Sequence, residues 1–328
     1  MATYKGIQGQ SVQTLASDPS PTASAEGQLW YNSATYAFKI ATAGAGAWAA
    51  ANAMNVNHAD GGGCGIQTAA IYICGYRADP INLGNEYYDG TTWTEGANLT
   101  TMRYGNTGVG VQTAGMTFAG TTGPTPGVWT EIYNGTSWSE TADMTRSVPT
   151  SFIGGAGTTT AALAFFGSPG NSVLTELWNG TSWSEENDGL VGRHANFGIG
   201  TSTAALSAGG NAPPLPYQDL TEIWNGTSWT EVNDMNTARG RGGASGTSTA
   251  GLIMAGTAGP PGVQTAVESW DGTSWTSVAS ITTANYGGVG TPSGTNQVSL
   301  YAGGQPSGGT ECEEWNDPVY AIKTVTVS

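Results

Sequence analysis

Glutamates recur along this chain at matched positions, and carboxylates are a common source of general acid–base chemistry. Each precedes an aromatic residue by two positions, and together they are Glu86, Glu131, Glu176, Glu222, Glu268 and Glu313. An acid–base pair requires two carboxylates whose environments push their pKa values apart. Six equivalent carboxylates do not meet that requirement, so we expect them to have a packing role.

Other chemistries find little support in the composition. Cys64, Cys74 and Cys312 are too few and too scattered for a disulfide framework or a thiolate metal site. The glycine-rich stretches lack the lysine and following helix of a phosphate-binding loop. A formal net charge of -15 would repel nucleic acid. No run of about 18 apolar residues predicts a membrane span, and no export signal is visible at the start.

The elements that must position any site are set by a repeat centred on Asn-Gly or Asp-Gly. A strand-like alternation of residue types on both sides of Asn-Gly predicts a β-hairpin with a type I′ turn. The second tryptophan of each unit falls at Trp93, Trp138, Trp183, Trp229 and Trp275, so neighbouring copies are 45, 45, 46 and 46 residues apart. This regularity predicts one repeating architecture with these tryptophans packed inside it.

Each repeat contains four predicted strands: a short strand at the tryptophan, a glycine-rich strand, an apolar strand and the strand that carries the glutamate. Six apolar strands occur, the last over residues 298–303. Radially repeated four-stranded antiparallel units form β-propellers, which leave only short sheet edges. We therefore expect an all-β protein with a six-bladed propeller, a short N-terminal arm and a hairpin.

Residues of about 48–317 resemble the kelch family. The resemblance rests on Met235 and Arg239 at a strand start, on Ala208-Gly209-Gly210 ending an apolar strand, and on Glu222-Ile223-Trp224-Asn225 followed by Trp229. The turn before tryptophan is shorter than in kelch repeats, and the double glycine is clear only twice. The resemblance implies a propeller closed by a strand shared between the two chain ends.

We expect residues 1–47 to form an arm and hairpin for attachment or oligomerisation, and residues 48–328 to form the propeller. Two segments could supply the closing strand: the strand at Trp48, which we favour, and the tail over residues 320–327. The tail matches the spacing of residues 36–42. It could therefore pair with the N-terminal hairpin beside the propeller.

Binding residues are expected in loops that vary between repeats, because the other turns repeat almost unchanged. The variable loops between second and third strands emerge on the same face as the blade-joining segments. They are rich in proline, which rigidifies a binding loop. The candidate ligand-binding residues on this face are Arg77, Asp79, Trp129, His194, Tyr217 and Asp219. The recurrent arginines that precede the glycine-rich strands are expected mainly to pack between blades.

An enzyme is not expected. Galactose oxidase, a kelch-type propeller, uses two tyrosines and two histidines for copper. His58 and His194 fall in repeats one and four and should lie across the axis from each other. We therefore predict no metal site, no cofactor and no catalytic group.

The N-terminus carries a second resemblance. Ala2-Thr3-Tyr4-Lys5-Gly6-Ile7, Glu26 to Ser33 and Phe38-Lys39-Ile40 are similar to the openings of virion and fibre proteins of marine tailed bacteriophages. The resemblance covers about 50 residues and implies a virion protein assembled in the host cytoplasm.

These patterns favour a phage tail fibre or surface adhesin that binds host-surface glycan through the loop-bearing face and other virion proteins through its arm. Nucleic acid and membrane insertion are not expected, and a homo-oligomer is possible. Two alternatives stay open: a purely structural capsid or tail decoration protein, and a kelch-type carbohydrate-active enzyme.

Overall fold

The computed structural model describes residues 12–20, 26–76, 84–123, 125–214, 217–259, 262–306 and 308–325. These residues form 27 strands in seven sheets and no helix, as expected for an all-β chain. Contacts group them into two units. One contains the described residues up to Ala47 and from Asn316 onward, and the other is Trp48–Trp315.

Five sheets of the larger unit share one plan, in which four antiparallel strands pair in chain order. Sheet 1 contains β5 (Gly62–Ile66), β6 (Ala69–Ile73), β7 (Glu86–Tyr88) and β8 (Trp93–Glu95); sheet 2 contains β9 (Thr107–Val111), β10 (Ala114–Phe118), β11 (Thr130–Tyr133) and β12 (Trp138–Glu140); sheet 3 contains β13 (Gly154–Thr158), β14 (Ala161–Phe165), β15 (Thr175–Trp178) and β16 (Trp183–Glu185); sheet 4 contains β17 (Phe197–Thr201), β18 (Ala204–Ala208), β19 (Thr221–Trp224) and β20 (Trp229–Val232); sheet 5 contains β21 (Gly243–Thr247), β22 (Ala250–Met254), β23 (Val267–Trp270) and β24 (Trp275–Val278).

Sheet 6 joins the two ends of the repeat region. It contains β25 (Val298–Ala302), β26 (Cys312–Asn316) and β4 (Ala47–Ala50), with β4 in the outer position. Trp48 of β4 packs on Trp315 with a ring-centroid distance of 5.4 Å and donates Nε1–H to the carbonyl of Ala279 at 2.9 Å. The strand at Trp48, rather than the tail, therefore completes this sheet.

The recurrent hairpins form as predicted, but their turns do not. Tyr133 pairs with Trp138, so the loop has four residues, beginning with Asn134. Asn134 Oδ1 accepts the N–H groups of Thr136 and Ser137 at 2.9 and 3.0 Å, and of the loop residues only Gly135 has positive φ. The predicted type I′ turn, which needs positive φ at two residues, is wrong. The asparagine side chain instead accepts the N–H groups of the loop, and only the glycine needs a positive φ.

The recurrent tryptophans lie between neighbouring sheets. Trp183 of sheet 3 is 4% exposed, packs on Phe118 of sheet 2 with centroids 5.1 Å apart, and donates Nε1–H to Thr130 Oγ1 at 3.0 Å. Trp229 and Trp275 repeat this bond to Thr175 and Thr221. Trp93 and Trp138 are buried to a similar extent. Each indole therefore adds its large apolar area to one sheet-to-sheet interface.

A closed circuit of backbone hydrogen bonds links the six sheets of the larger unit at their inner edges. In sheets 1 to 5 the residue two positions before the first strand takes part, and in sheet 6 the corresponding residue is Gly287. Each donates its N–H to the carbonyl of the equivalent residue in the preceding sheet at 2.6–2.9 Å, and the residue of the first sheet donates to that of the sixth. All six have positive φ. These residues, the axial ring, are Asp60, Gly105, Phe152, Ala195, Arg241 and Gly287.

The smaller unit is a separate four-stranded sheet. It contains β1 (Gln13–Leu15), β2 (Leu29–Asn32), β3 (Ala37–Gly44) and β27 (Val319–Thr324), with β1 parallel to β2 and the other pairs antiparallel. The predicted N-terminal hairpin and its pairing with the tail are both confirmed. The expected boundary of 48–328 differs from the structure, because β27 pairs with β3 and joins the first unit.

Candidate functional site

Two charged side chains of the axial ring, Asp60 and Arg241, meet where a narrow channel along the inner strands opens, and we call this opening the mouth. Arg241 donates Nε–H to Asp60 Oδ1 at 3.1 Å, and its Nη2 donates to Asp60 Oδ2. Burial opposes the charge on Arg241, but the Asp60 carboxylate outweighs it and holds the pKa of Arg241 above its usual value. The Arg241 side chain remains 29% exposed. This ion pair can therefore be reached from solvent.

Aromatic side chains surround the ion pair. The Arg241 guanidinium carbon lies 5.3 Å from the ring centroid of Phe152 and 4.8 Å from that of Tyr286, within cation–π range. From Phe152 an aromatic series continues to Tyr104, at 6.2 Å, and then to Tyr76, at 5.5 Å. Tyr76 is 38% exposed and the others are half-buried. Ring faces and edges are therefore available beside a charged pair.

The segments around β17 and β18 add polar groups to the same mouth. His194 precedes the ring residue Ala195 and forms a backbone bridge with Asn211, which in turn bridges Tyr217. The Tyr217 ring lies over Gly240, where an added Cβ would meet Cε1 at 3.1 Å. The glycine next to Arg241 therefore leaves room for this tyrosine.

The surroundings of His194 disfavour the charged form of its imidazole. Burial, and then the positive charge of Arg241, lower the pKa of its imidazole below the ordinary value. Among the described residues, His194 Nδ1 and Asn211 Oδ1 are buried atoms without a hydrogen-bond partner. Such atoms are costly unless a ligand or water satisfies them.

Arg241 at the mouth differs from the recurrent arginines in its acidic partner. Arg103, Arg146, Arg193 and Arg239 are buried, and each contacts the glutamate of its own sheet. Among the described residues of Trp48–Trp315, Arg241 is the only cationic side chain outside such a pair. The glutamates also accept backbone N–H groups from the segment that enters the sheet, as Glu222 does from Leu190 at 2.9 Å. The recurrent arginine–glutamate pairs therefore hold the segments of each sheet together, and Arg241 is not part of such a pair.

Sheets 1 and 6 vary this arrangement. His58 in sheet 1 and Asn285 in sheet 6 take the position of the buried arginine, two residues before the ring. Tyr72 and Tyr301 occupy the matching positions on the second strands, where sheets 2 to 5 carry Thr117, Ala164, Ser207 and Ile253. His58 stacks on Tyr72 at 4.8 Å, and both tyrosines are fully or almost fully buried. In sheets 1 and 6 the large tyrosine on the second strand thus fills the volume that His58 or Asn285 leaves in place of an arginine.

The structure brings together only part of the predicted site. His194 and Tyr217 lie at the mouth. Trp129 is half-buried over Gly127, Asp219 is half-buried and accepts Met235 N–H through its carbonyl, and no contact links either residue to Arg241. Arg77 and Asp79 lie outside the described residues. The five structural tryptophans are 4–7% exposed.

Sequence reasoning missed Asp60, Phe152 and Arg241, although a signal was present. Aligning the repeats on the recurrent arginine places a ring residue two positions later in sheets 2, 4 and 5, as Gly105, Ala195 and Arg241. The available clue was the charged residue Arg241 at the position where the other two aligned repeats have glycine and alanine. Sheet 3 hides the pattern, because Arg146 lies six positions before Phe152.

The lining of the mouth continues along the inner strands. Below it a narrow channel of about 120 Å³ is lined largely by glycines of the inner strands. Among the described residues, no group of three or more histidines, cysteines, aspartates or glutamates could hold a metal ion. A ligand at the mouth would meet aromatic rings and the exposed edge of the Arg241 guanidinium.

Comparison with known proteins identifies the fold. No protein-family model matches this sequence, and no curated protein matches it. A solved structure titled "Structure of YjhT", a kelch-type β-propeller, aligns with a TM-score of 0.67 over 83% of this chain and 99% of that chain.

The fold is a β-propeller. At 13% sequence identity, this likeness concerns the fold alone. The described part of the propeller chain also contains no helix long and apolar enough to cross a membrane.

Proposed function

We propose that residues 48–315 form a six-bladed, kelch-like propeller that binds a glycan at its axial mouth without catalysing a reaction. Six sheets and a ring of six backbone hydrogen bonds support six blades with closure at Trp48. Tyr217 comes from one of the variable loops and packs beside Gly240, next to Arg241, so binding at the mouth would agree with the expected loop-bearing face.

The observation that carries the binding proposal is the combination of Arg241 and Asp60 with half-buried aromatic rings. Sugars present hydroxyl groups to polar side chains and C–H faces to aromatic rings, and ligand sites commonly combine an apolar wall with a few polar groups. Tyr217, Tyr286 and Phe152 supply such a wall. Arg241, which is 29% exposed, and its partner Asp60 supply the polar groups for sugar hydroxyls.

The wider proposal is a bacteriophage virion protein, a tail fibre or surface adhesin, with its host's surface glycan as ligand. The N-terminal resemblance to virion and fibre proteins supports it, as does an N-terminal unit that is distinct from the propeller. Residues 1–47 would contact other virion proteins. The protein would then be located in the virion after assembly in the host cytoplasm.

Glycan-array binding tests the proposed function. Wild-type protein should bind a subset of immobilised oligosaccharides, and both Arg241→Ala and Tyr217→Ala should weaken the strongest signal at least tenfold. Thr136→Ala is the matched control, because Thr136 is exposed in the turn between β11 and β12 and far from the mouth in the repeat plan. It should bind as wild type does.

Three results would count against the proposal. Absence of binding to every glycan would remove the adhesin function, and binding that survives both mouth substitutions would move the site elsewhere. Turnover of a bound oligosaccharide would favour a carbohydrate-active enzyme. For the virion proposal, antibodies against residues 48–315 should label purified phage particles in electron micrographs; uniform labelling without any glycan binding would favour a decoration protein.

A further inference from the structure

A second cavity lies on the same face as the mouth, between sheets 6 and 1. It has a volume of about 330 Å³ and is lined by Asn57, His58, Tyr76, Gln305, Pro306 and Gly309, among others. We call it the seam pocket, because sheets 6 and 1 are where the ends of the repeat region meet. Its volume is at the lower end of the roughly 300–1,000 Å³ typical of small-molecule sites.

The seam pocket contains polar atoms that the protein leaves unsatisfied. Among the described residues, Asn57 Oδ1 and His58 Nδ1 are buried without a hydrogen-bond partner. His58 is only 1% exposed, and its Nε2 lies 3.3 Å from Glu86 Oε1. The arginines at this position in sheets 3 and 5 instead donate to several carbonyls of their own sheet, as Arg239 does to Ala255. The imidazole in sheet 1 therefore leaves bonding capacity beside a cavity.

Two series of side-chain contacts link the seam pocket to the mouth. On one edge, Tyr76 of the pocket contacts Tyr104, which contacts Phe152 beside Arg241. On the other, Gln305 of the pocket accepts the hydroxyl of Tyr286 at 3.3 Å, and Tyr286 stacks on Arg241. Aromatic and amide side chains thus connect the residues of the mouth to those of the pocket.

We infer that the mouth and the seam pocket are two subsites for one extended oligosaccharide. The inference rests on the proposed glycan binding at the mouth. A single sugar unit occupies the mouth, and a chain of several units reaches the seam pocket, where the 38% exposed ring of Tyr76 stacks on a sugar. Affinity therefore increases with chain length, and Tyr76 acts only on ligands long enough to reach it.

Calorimetric titration with two ladders of defined sugars tests this inference. The probes are chito-oligosaccharides and oligomannuronates of one to six units, one ladder neutral and one acidic. In the ladder that binds, the longest member should bind at least tenfold more tightly than the single unit. Tyr76→Ala should abolish this gain, a loss of about tenfold, and leave the affinity for the single unit unchanged. Arg241→Ala should weaken binding of every length.

Two further variants guard against misfolding and non-specific stacking. Gln305 lies on the opposite wall of the pocket from Tyr76, so Gln305→Ala should also reduce the gain in affinity with chain length. Tyr36→Ala is the matched control, because Tyr36 is 81% exposed and belongs to the smaller sheet. All variants should keep the thermal midpoint of wild type within a few degrees.

The outcomes distinguish failure of the two-subsite inference from failure of glycan binding at the mouth. If neither ladder nor any arrayed glycan binds wild type, the proposed function fails and the inference fails with it. If the mouth binds sugars but all chain lengths bind equally, or Tyr76→Ala leaves the longest member unaffected, the seam pocket is not a subsite and glycan binding at the mouth still stands.

Discussion

Replacing Glu222 by Gln should destabilise the protein much more than replacing Glu86 by Gln, because the two carboxylates face different bases. Arg193 is fully buried and donates Nη1–H to Glu222. A guanidinium stays protonated in proteins. Glu222→Gln therefore leaves a buried charge without a partner, which costs about 3–5 kcal/mol in the free energy of unfolding.

Glu86 faces His58 instead, and an imidazole can be neutral near neutral pH. Glu86 also accepts the N–H groups of Asn55 and Val56 at 2.8 and 2.9 Å. Gln at position 86 keeps one acceptor oxygen, so the main loss is one or two buried donors left unsatisfied, about 1–3 kcal/mol. The two variants should therefore differ by about 2 kcal/mol.

Urea unfolding at pH 8, followed by tryptophan fluorescence, measures both costs. Glu95→Gln is the control, because Glu95 is exposed on an outer strand and should shift the free energy by less than about 0.5 kcal/mol. Equal costs at the two buried sites, or a larger cost for Glu86→Gln, would refute the assignment of the recurrent pairs as charge-compensated scaffold.

Three further predictions concern closure, the mouth and the core. Trp48→Ala should lower the unfolding free energy by about 2–3 kcal/mol, since it removes a half-buried indole from the closing sheet, whereas Trp129→Ala in a loop should cost less than about 1 kcal/mol; equal effects would contradict closure at Trp48. In NMR titrations, Arg241→Gln should raise the pKa of His194 by removing a nearby positive charge, and an unchanged pKa would contradict that proximity. Burial raises the pKa of all three cysteines to about 12, so native protein should resist iodoacetamide at pH 8 and react fully in urea; rapid native labelling would refute their burial.

The sequence predicted the repeating scaffold because the scaffold is local and periodic. Strand alternation, the asparagine–glycine hairpins and the tryptophan spacing each report a contact within one repeat or between neighbours. The turn type was wrong because the side chain of Asn134, rather than the backbone alone, satisfies the turn. The pairing of the tail with β3 was foreseen from spacing, but its consequence for the unit boundary was not.

The candidate site was only partly predictable because it depends on what differs between repeats. His194 and Tyr217 were found as exceptions in variable segments. Arg241 and Asp60 are 181 residues apart and meet only because the ring closes. No periodicity in one sequence can predict which ring positions bear charge and which side chains then meet across an axis.

A crystal structure of the protein with the strongest-binding oligosaccharide from the array would test the central claim most directly. The account predicts sugar density at the axial mouth, with a ring packed on Tyr217 or Phe152 and a hydroxyl or carboxylate within hydrogen-bonding distance of Arg241. Density confined to the Asn-Gly-Thr-Ser turns or to the outer strands, with an empty mouth, would contradict it.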